Sequence, residues 1–275
     1  MSKDFYNEVY LADHESQYGG GLDGMPSRSG LLIAETSAWL EQTGLAIRKD
    51  ANILEIGCGM AFVSKVHPGW HGAEYSKTAV LRVKERDGQS TQIFEEDAMR
   101  LSFSDNSFDA VFTFAALEHV FDPNKAFLEI DRILRGGGYV LIAPAWNCRS
   151  WTVKKIEHRP MSQLSWLERI ERWSIPFREC LFVRACIAFP NRIFSEIKLA
   201  LGVKFLPLRY KALQPRWDLI EQYGHVSDDD ALADIDPHAA ICFFKSRGYE
   251  ISSHPTILTR LLAKHESLIA RKPIA

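Results

Sequence analysis

Three stretches of the 275-residue chain gather side chains able to bind and react. In "ANILEIGCGMA", residues 51–61, the apolar run Ile53–Ile56 carries Glu55 and then meets Gly57, Cys58 and Gly59. Glycines at the carboxyl end of a parallel strand let backbone approach a ligand and take angles that a Cβ forbids. A dinucleotide fingerprint needs a further glycine where Phe62 stands. Glu55, two residues before Gly57, would repel a phosphate but hold an ammonium, directly or through water. The turn therefore suits a ligand with a cationic end and no phosphate. The other two stretches supply imidazoles: His119 in "ALEHV", and His225 in "GHVSDDDALADIDPH", which also holds Asp228, Asp229 and Asp230. A histidine, with an ordinary pKa of about 6.5, is suited to take a proton from a hydroxyl nucleophile. His119 either does this or helps hold its loop together. The 224–238 stretch is either a solvated loop with Asp236 capping the next helix, or a loop whose His225 or aspartates reach substrate hydroxyls.

A scaffold must bring these residues to one edge. Residues 31–44 read as a helix stopped by Gly44, and "SKTAVLRVKERDG" as another ended by Gly88. "DPNKAFLEIDRILRGGG" reads as a helix with Asp122 as N-cap, Pro123 in its first turn, and Gly136–Gly138 as stop and turn. "NILEIG", "GWHGAEYS", "TQIFEEDA", "FDAVFTFAA", "YVLIAPA", "YEISSHP" and "ESLIARKP" read as strands. The alternation predicts an α/β fold, a Rossmann-like, seven-stranded, mainly parallel sheet. Regularity is lost over 151–222, so this segment reads as a helical insertion before the last helix and two strands. The expected organisation is an N-terminal arm and first helix over 1–45, a core over 46–150, the insertion over 151–222, and the rest of the sheet domain over 223–275.

Composition limits the function classes. Charged residues make up 25% and hydrophobic residues 46%, as in a soluble globular protein. A net charge of −2 gives no sign of a nucleic-acid partner. Five cysteines, at 58, 148, 180, 186 and 242, show no CxxC spacing and point to a reducing compartment. The polar N-terminus and the lack of a long uncharged apolar run lead to the expectation of a cytoplasmic protein.

The stretch from about 50 to 145 resembles class I S-adenosylmethionine (SAM)-dependent methyltransferases, of the small-molecule group. "EIGCGMA" resembles their first motif, with Ala61 where a third glycine is common. "GAEYS", "EEDAMRLSFSDNSFDAVFT", "LEHV" and "RILRGGGYVLIA" follow in family order. SAM carries an amino group and a sulfonium but no phosphate, which agrees with the reading of Glu55. The resemblance implies a cofactor site of Glu55, Gly57, Cys58, Gly59, Glu74, Tyr75, Asp97, Ala98, Phe114 and Ala115. Glu74 would accept both hydroxyls of the ribose, Asp97 and the Ala98 amide would read the adenine, and Phe114 and Ala115 would lie beside the methionine part. Read singly, Glu74 is equally a solvated loop acid and Asp97 a turn cap. His119 and His225 are the candidate catalytic residues. No metal is expected: ubiquinone-pathway O-methyltransferases place a glutamate three residues before the equivalent of Glu118, and here Ala115 stands there. The stretch 227–251 also resembles, more loosely, methyltransferases found with bacterial saccharide-assembly genes.

The insertion holds 13 Lys and Arg against 7 Asp and Glu, together with Trp151, Trp166, Trp173 and Trp217. Leu164, Leu167, Ile170 and Trp173 recur at helical spacing. Basic and aromatic groups over the sheet edge suit a small-molecule or saccharide substrate, including a nucleotide-linked or lipid-linked glycan. A peripheral membrane contact, a homodimer interface, or a helical cap with solvated charges stays open for the same residues. Three functions remain: O-methylation of a polar small molecule or saccharide, C- or O-methylation of a lipid or quinone-like compound, and SAM binding without turnover.

Overall fold

The computed structural model describes residues 2–11, 28–226 and 228–274. In chain order its elements are α1 (Ser2–Val9), α2 (Arg28–Gln42), β1 (Ile53–Ile56), β2 (Trp70–Glu74), α3 (Lys77–Asp87), β3 (Ile93–Glu95), β4 (Phe108–Phe114), α4 (Pro123–Ile133) and β5 (Leu134–Ala143). There follow α5 (Ser150–Val153), α6 (Trp166–Glu179), α7 (Leu181–Ala200), β6 (Tyr210–Ala212), α8 (Trp217–Tyr223), β7 (Ala233–Ile235), α9 (Pro237–Lys245), β8 (Glu250–Ile251), α10 (Ile257–Leu261) and β9 (Leu268–Arg271). Seven strands form one sheet in the order β3-β2-β1-β4-β5-β9-β8, with β8 and β9 antiparallel. This is the expected Rossmann-like α/β fold.

The chain divides into two compact units: Met1–Phe114 with Leu128–Leu141 and Lys272–Ala275, and Ala115–Phe127 with Ile142–Arg271. In the first, β1 pairs in parallel with β2 on one side and β4 on the other, Ile53 opposite Trp70 and Ala110. A central parallel strand is covered on both faces, hence the unbroken run Ile53-Leu54-Glu55-Ile56, all buried. Ser76 caps α3, its hydroxyl accepting from Ala79 N at 3.3 Å, and Gly88 ends that helix at φ 100°.

The glycines at 136–138 do not stop the preceding helix as expected. α4 ends at Ile133, and β5 runs straight through them. A Cβ on Gly138 would sit 2.8 Å from the Asp109 carbonyl oxygen, and Gly137, at φ 79°, donates to the Lys272 carbonyl at 3.0 Å. Close approach of neighbouring backbone, rather than a turn, requires glycine here.

The second unit is built on Phe127, Phe243, Phe244 and Tyr249, with successive ring centroids 4.9–5.4 Å apart. A smaller core of Trp151, Ile156, Leu164 and Ile175 holds α5 and α6. Of the four residues at the predicted helical spacing, only Leu164, just before α6, is buried; Leu167, Ile170 and Trp173 are 60%, 52% and 71% exposed, and α6 buries Ile175 in their place. Besides Ile175, the inner side of α6 is tied down by charge: Arg159 to Glu168 at 2.6 Å and Lys154 to Glu171 at 2.9 Å. The insertion is not wholly helical, since β6 pairs antiparallel with β7, Tyr210 opposite Ile235. The 224–238 stretch is not a solvated loop, because Asp229 and Asp230 are 0% and 3% exposed and residues 233–235 form β7. Asp236 does cap α9, accepting from His238 N at 3.1 Å. Among the described residues no helix is long and apolar enough to cross a membrane.

Candidate active site

In the first unit the turn after β1 is fastened to β2. Gly57 (φ 72°) donates to the Ala73 carbonyl at 2.8 Å, and Gly59 (φ 50°) donates to Glu74 Oε2 at 2.8 Å. The other Glu74 oxygen accepts from Ser76 N at 2.8 Å. Burial pushes the Glu74 carboxyl up, and the amides of Ser76, Gly59 and Tyr75 oppose that. Glu74 is therefore neither solvated nor idle. It locks the glycine turn, and a carboxylate with about four acceptor sites still has capacity for a diol.

Glu55 lies inside the sheet layer, buried, with Trp70 Nε1 donating to it at 2.9 Å. Burial, the largest cause, drives its pKa from 4.5 to about 8; the Trp70 bond opposes and the Glu74 charge adds. Cys58 is a buried free thiol, raised by burial and by both glutamates, and so is not a nucleophile. Tyr75 is 37% exposed with the Lys3 ammonium 5.2 Å from its ring centroid. A Cβ on Gly59 would fall 2.8 Å from the Tyr10 hydroxyl, so the turn after α1 closes on the glycines. Asp97 Oδ1 accepts from Met99 N at 2.9 Å, as an Asx turn does, and Ala98 beside it is half-buried. Phe114 ends β4, its ring 5.8 Å from that of Phe112. These residues fit SAM: the glycine cradle admits backbone contact, and Glu74 keeps acceptor capacity beside it.

In the second unit Ala115 is exposed at φ 44°, and residues 117–119 form a single 3-10 turn. Glu118 is fully buried and its oxygens accept no hydrogen bond of good geometry. Burial raises its pKa, with His119 and the amides of Glu118 and Ala145 working against it. His119 lies between two carboxylates, with Nε2 3.6 Å from Glu118 Oε1 and Nδ1 3.4 Å from Asp230 Oδ2. The Leu232 amide donates to the Glu118 carbonyl at 2.8 Å, joining the turn to the segment leading into β7.

His225 Nδ1 is 2.7 Å from Asp229 Oδ1, and that bond, with the Asp230 and Asp229 charges, raises its pKa against burial. Asp229 is also paired with the fully buried Lys155, whose ammonium donates to the Gly224 carbonyl at 2.5 Å. Burial pushes Asp229 up, but His225 and Lys155 outweigh it and hold the pKa low. The two histidines singled out in the sequence are thus served by adjacent aspartates. Lys155, which completes the arrangement, went unrecognised; its signal was a lysine between apolar Trp151, Val153 and Ile156 on a buried face.

Among the described residues, two groups have donor atoms close enough to share a metal: Glu196–His238–Cys242 and His225–Asp229–Asp230. Arg260 already holds Glu196 at 2.7 and 2.8 Å, and Lys155 holds Asp229. Glu118 and His119 belong to neither group.

Residues 54–142 match the profile of a family described as a methyltransferase domain. A sterol 24-C-methyltransferase of Neurospora crassa is 30% identical over 125 residues, covering 42% of this chain and 33% of that protein. A demethylmenaquinone methyltransferase of Listeria welshimeri is 30% identical over 113 residues, 36% of this chain and 48% of that one. The chain thus matches less than half the length of either relative. Among solved structures, a SAM-bound amino pentose methyltransferase from Micromonospora echinaspora aligns with a TM-score of 0.38 and 20% identity, covering 50% of this chain and 56% of that one.

Proposed function

We propose that this chain, a class I SAM-dependent methyltransferase by its domain over 54–142, methylates an oxygen of a polar small molecule or saccharide. The observation that carries the reading is the glycine turn held open by Glu74, followed along the chain by His119 between Glu118 and Asp230. Bound SAM supplies an electrophilic methyl group on a sulfonium. In the balanced reaction the acceptor oxygen forms a bond to that carbon, the sulfur–carbon bond breaks with its electrons going to sulfur, and the hydroxyl proton leaves.

Glu74, Asp97 and the Gly57–Gly59 turn bind and orient the cofactor. His119, held between Glu118 and Asp230, is the acceptor of the proton. His225 is the weaker candidate base at neutral pH, because Asp229 already favours its protonated form. A cytoplasmic location belongs to the same proposal.

The test is incubation with SAM and labelled-methyl analysis of an extract from cells lacking the protein. S-adenosylhomocysteine must appear with a methylated acceptor. Binding of SAM with no product in any extract would make the chain a non-catalytic SAM binder.

A second reading, methylation of a lipid or quinone-like compound at carbon or oxygen, draws on the exposed apolar side chains of α6 and α7. Trp166, Trp173 and Phe182 are 69%, 71% and 75% exposed. The sterol and demethylmenaquinone enzymes among its relatives favour it too. Dependence of turnover on detergent or liposomes distinguishes this reading from the first.

A further inference from the structure

The second unit contains two grooves, of about 280 and 510 Å³, that share Asn147, Arg192, Lys211 and Asp234 on their walls. The residues come from α7, from β6 and β7, and from the segment after β5. The smaller groove is lined by Arg149, Arg178, Arg184, Arg192, Lys211 and Lys264, with Asp234 its one acid.

Some of this charge is already neutralised. Arg192 is bound to Asp236 at 2.6 and 3.2 Å, and Arg149 reaches Glu179 at 3.0 Å. Arg178 is 3.6 Å from Glu171, and its guanidinium is 4.4 Å from the Trp151 ring centroid. Arg184, Lys211 and Lys264 have no carboxylate within ion-pair distance among the described residues. Arg184 is half-buried, and its pKa is lowered by that burial and by the neighbouring Arg149 and Arg192 charges, with the Glu179 and Asp234 charges working against them. Lys211 sits directly across the β6–β7 ladder from Asp234 without closing an ion pair.

A solvated surface does not need cations gathered this closely with so little opposing charge. A planar guanidinium fork beside two ammonium groups matches the oxygens of phosphate. The larger groove continues with Asn191, Ser195 and Tyr210, neutral donors and acceptors, beside Lys198, Arg209 and the Asp236 already bound to Arg192. That lining suits the hydroxyls of a sugar.

We propose that these joined grooves bind a sugar carried on a diphosphate, with Arg184, Lys211 and Lys264 on the phosphates and the Asn191–Tyr210 side on the sugar. The proposal rests on the methyl-transfer reading only in making this ligand the methyl acceptor. A nucleotide or a lipid carrier would present the same diphosphate.

Calorimetry on the full chain at low salt, with inorganic pyrophosphate, UDP-glucose and SAM as separate titrants, tests it. Wild type is expected to bind pyrophosphate. Arg184→Ala combined with Lys211→Ala should weaken it at least tenfold with SAM affinity unchanged, which also reports that the variant is folded. Asp234→Asn, which removes the one acid, should tighten pyrophosphate several-fold.

UDP-glucose binding more tightly than pyrophosphate assigns the groove to a nucleotide carrier. Equal binding of the two, with sedimentation on phosphatidylglycerol-containing vesicles that the double variant loses, assigns it to a lipid-borne phosphate. SAM binding by a wild type that ignores pyrophosphate overturns the inference and leaves the methyl-transfer reading intact. Pyrophosphate binding without SAM binding overturns that reading and leaves the groove. Unchanged pyrophosphate affinity in both variants places the anion elsewhere and refutes the assignment.

Discussion

Replacing Glu55 with glutamine should make the protein more stable at high pH and leave it unchanged at low pH. Glu55 is buried in β1, and its only described hydrogen-bond donor is Trp70 Nε1 at 2.9 Å. Burial moves its carboxyl from 4.5 to about 8 in the folded protein. The folded chain therefore holds this proton over a pH range in which the unfolded chain has released it. The associated stability is fully present below pH 4.5 and is lost as pH rises through about 8. At 1.36 kcal/mol per pH unit that interval is worth up to about 5 kcal/mol, and half of it would be easily measured. Glutamine keeps the volume and an acceptor for Trp70, but has no proton to lose. Urea denaturation of both proteins at pH 5, 7 and 9 should give a gap in favour of the variant that opens with pH. Parallel stability curves over that range would refute the argument. Calorimetry adds a second readout. At pH 7 a group with a pKa of about 8 is roughly nine-tenths protonated. If the SAM ammonium pairs with Glu55, binding expels about one proton from wild type and none from the variant. Absence of that release from wild type removes Glu55 from the ligand site and leaves it a core residue.

Glu74→Ala should weaken SAM binding by roughly 1.5–3 kcal/mol, measured calorimetrically, since charge-assisted hydrogen bonds and the lock on Gly59 are lost together. His119→Ala should lower turnover about 100-fold or more at unchanged SAM affinity; a loss of only a few-fold, with His225→Ala inactive, would move the base to the second histidine. Lys155→Ala should cost about 3–5 kcal/mol in urea denaturation, because it strands the buried Asp229 carboxylate. The stabilisation from His225 is complete below pH 6.5 and is lost as pH rises through its raised pKa, so His225→Gln should flatten the loss of stability between pH 6 and 9. EDTA should leave turnover unchanged; strong inhibition reversed by magnesium would show a metal despite Ala115.

The parts of the fold that could be read from sequence are those set by local chemistry. Ser76 and Gly88 bound α3, and Asp236 with Pro237 starts α9, because caps are decided by a residue's own neighbours. The unbroken apolar run of β1 could only be a strand covered on both sides. What escaped depended on distant backbone or charge. Gly136–Gly138 look like a helix stop in sequence, yet it is the Asp109 carbonyl, far along the chain, that demands glycine. Asp229 reads as solvated until Lys155, 74 positions earlier, is brought to it. Asp234 and the neighbouring Asp236 also hid β7, since acids are poor strand formers. The apolar spacing of α6 was legible, but not its direction, because ion pairs and not those side chains hold the helix inward.

The segment leading into β7 carries Asp230 against His119, and four residues later β7 carries Asp234 on the wall of the cationic grooves. An extended chain rises about 3.3 Å per residue, so the two aspartates lie no more than about 13 Å apart, Asp230 at the end of a turn and Asp234 on the short, hydrogen-bonded rod that follows it. That rod is pinned at one end by the Leu232 amide on the Glu118 carbonyl and at the other by its ladder to β6. Its length works as a ruler. An acceptor anchored by its phosphates would offer His119 only the hydroxyls within that reach, so which oxygen receives the methyl group would follow from distance to the anchor as much as from the reactivity of the hydroxyl. Shifting the anchor, for example by Lys211→Ala so that Arg209 is the nearest remaining cation on β6 and its approach, should change the position of methylation before it abolishes the reaction.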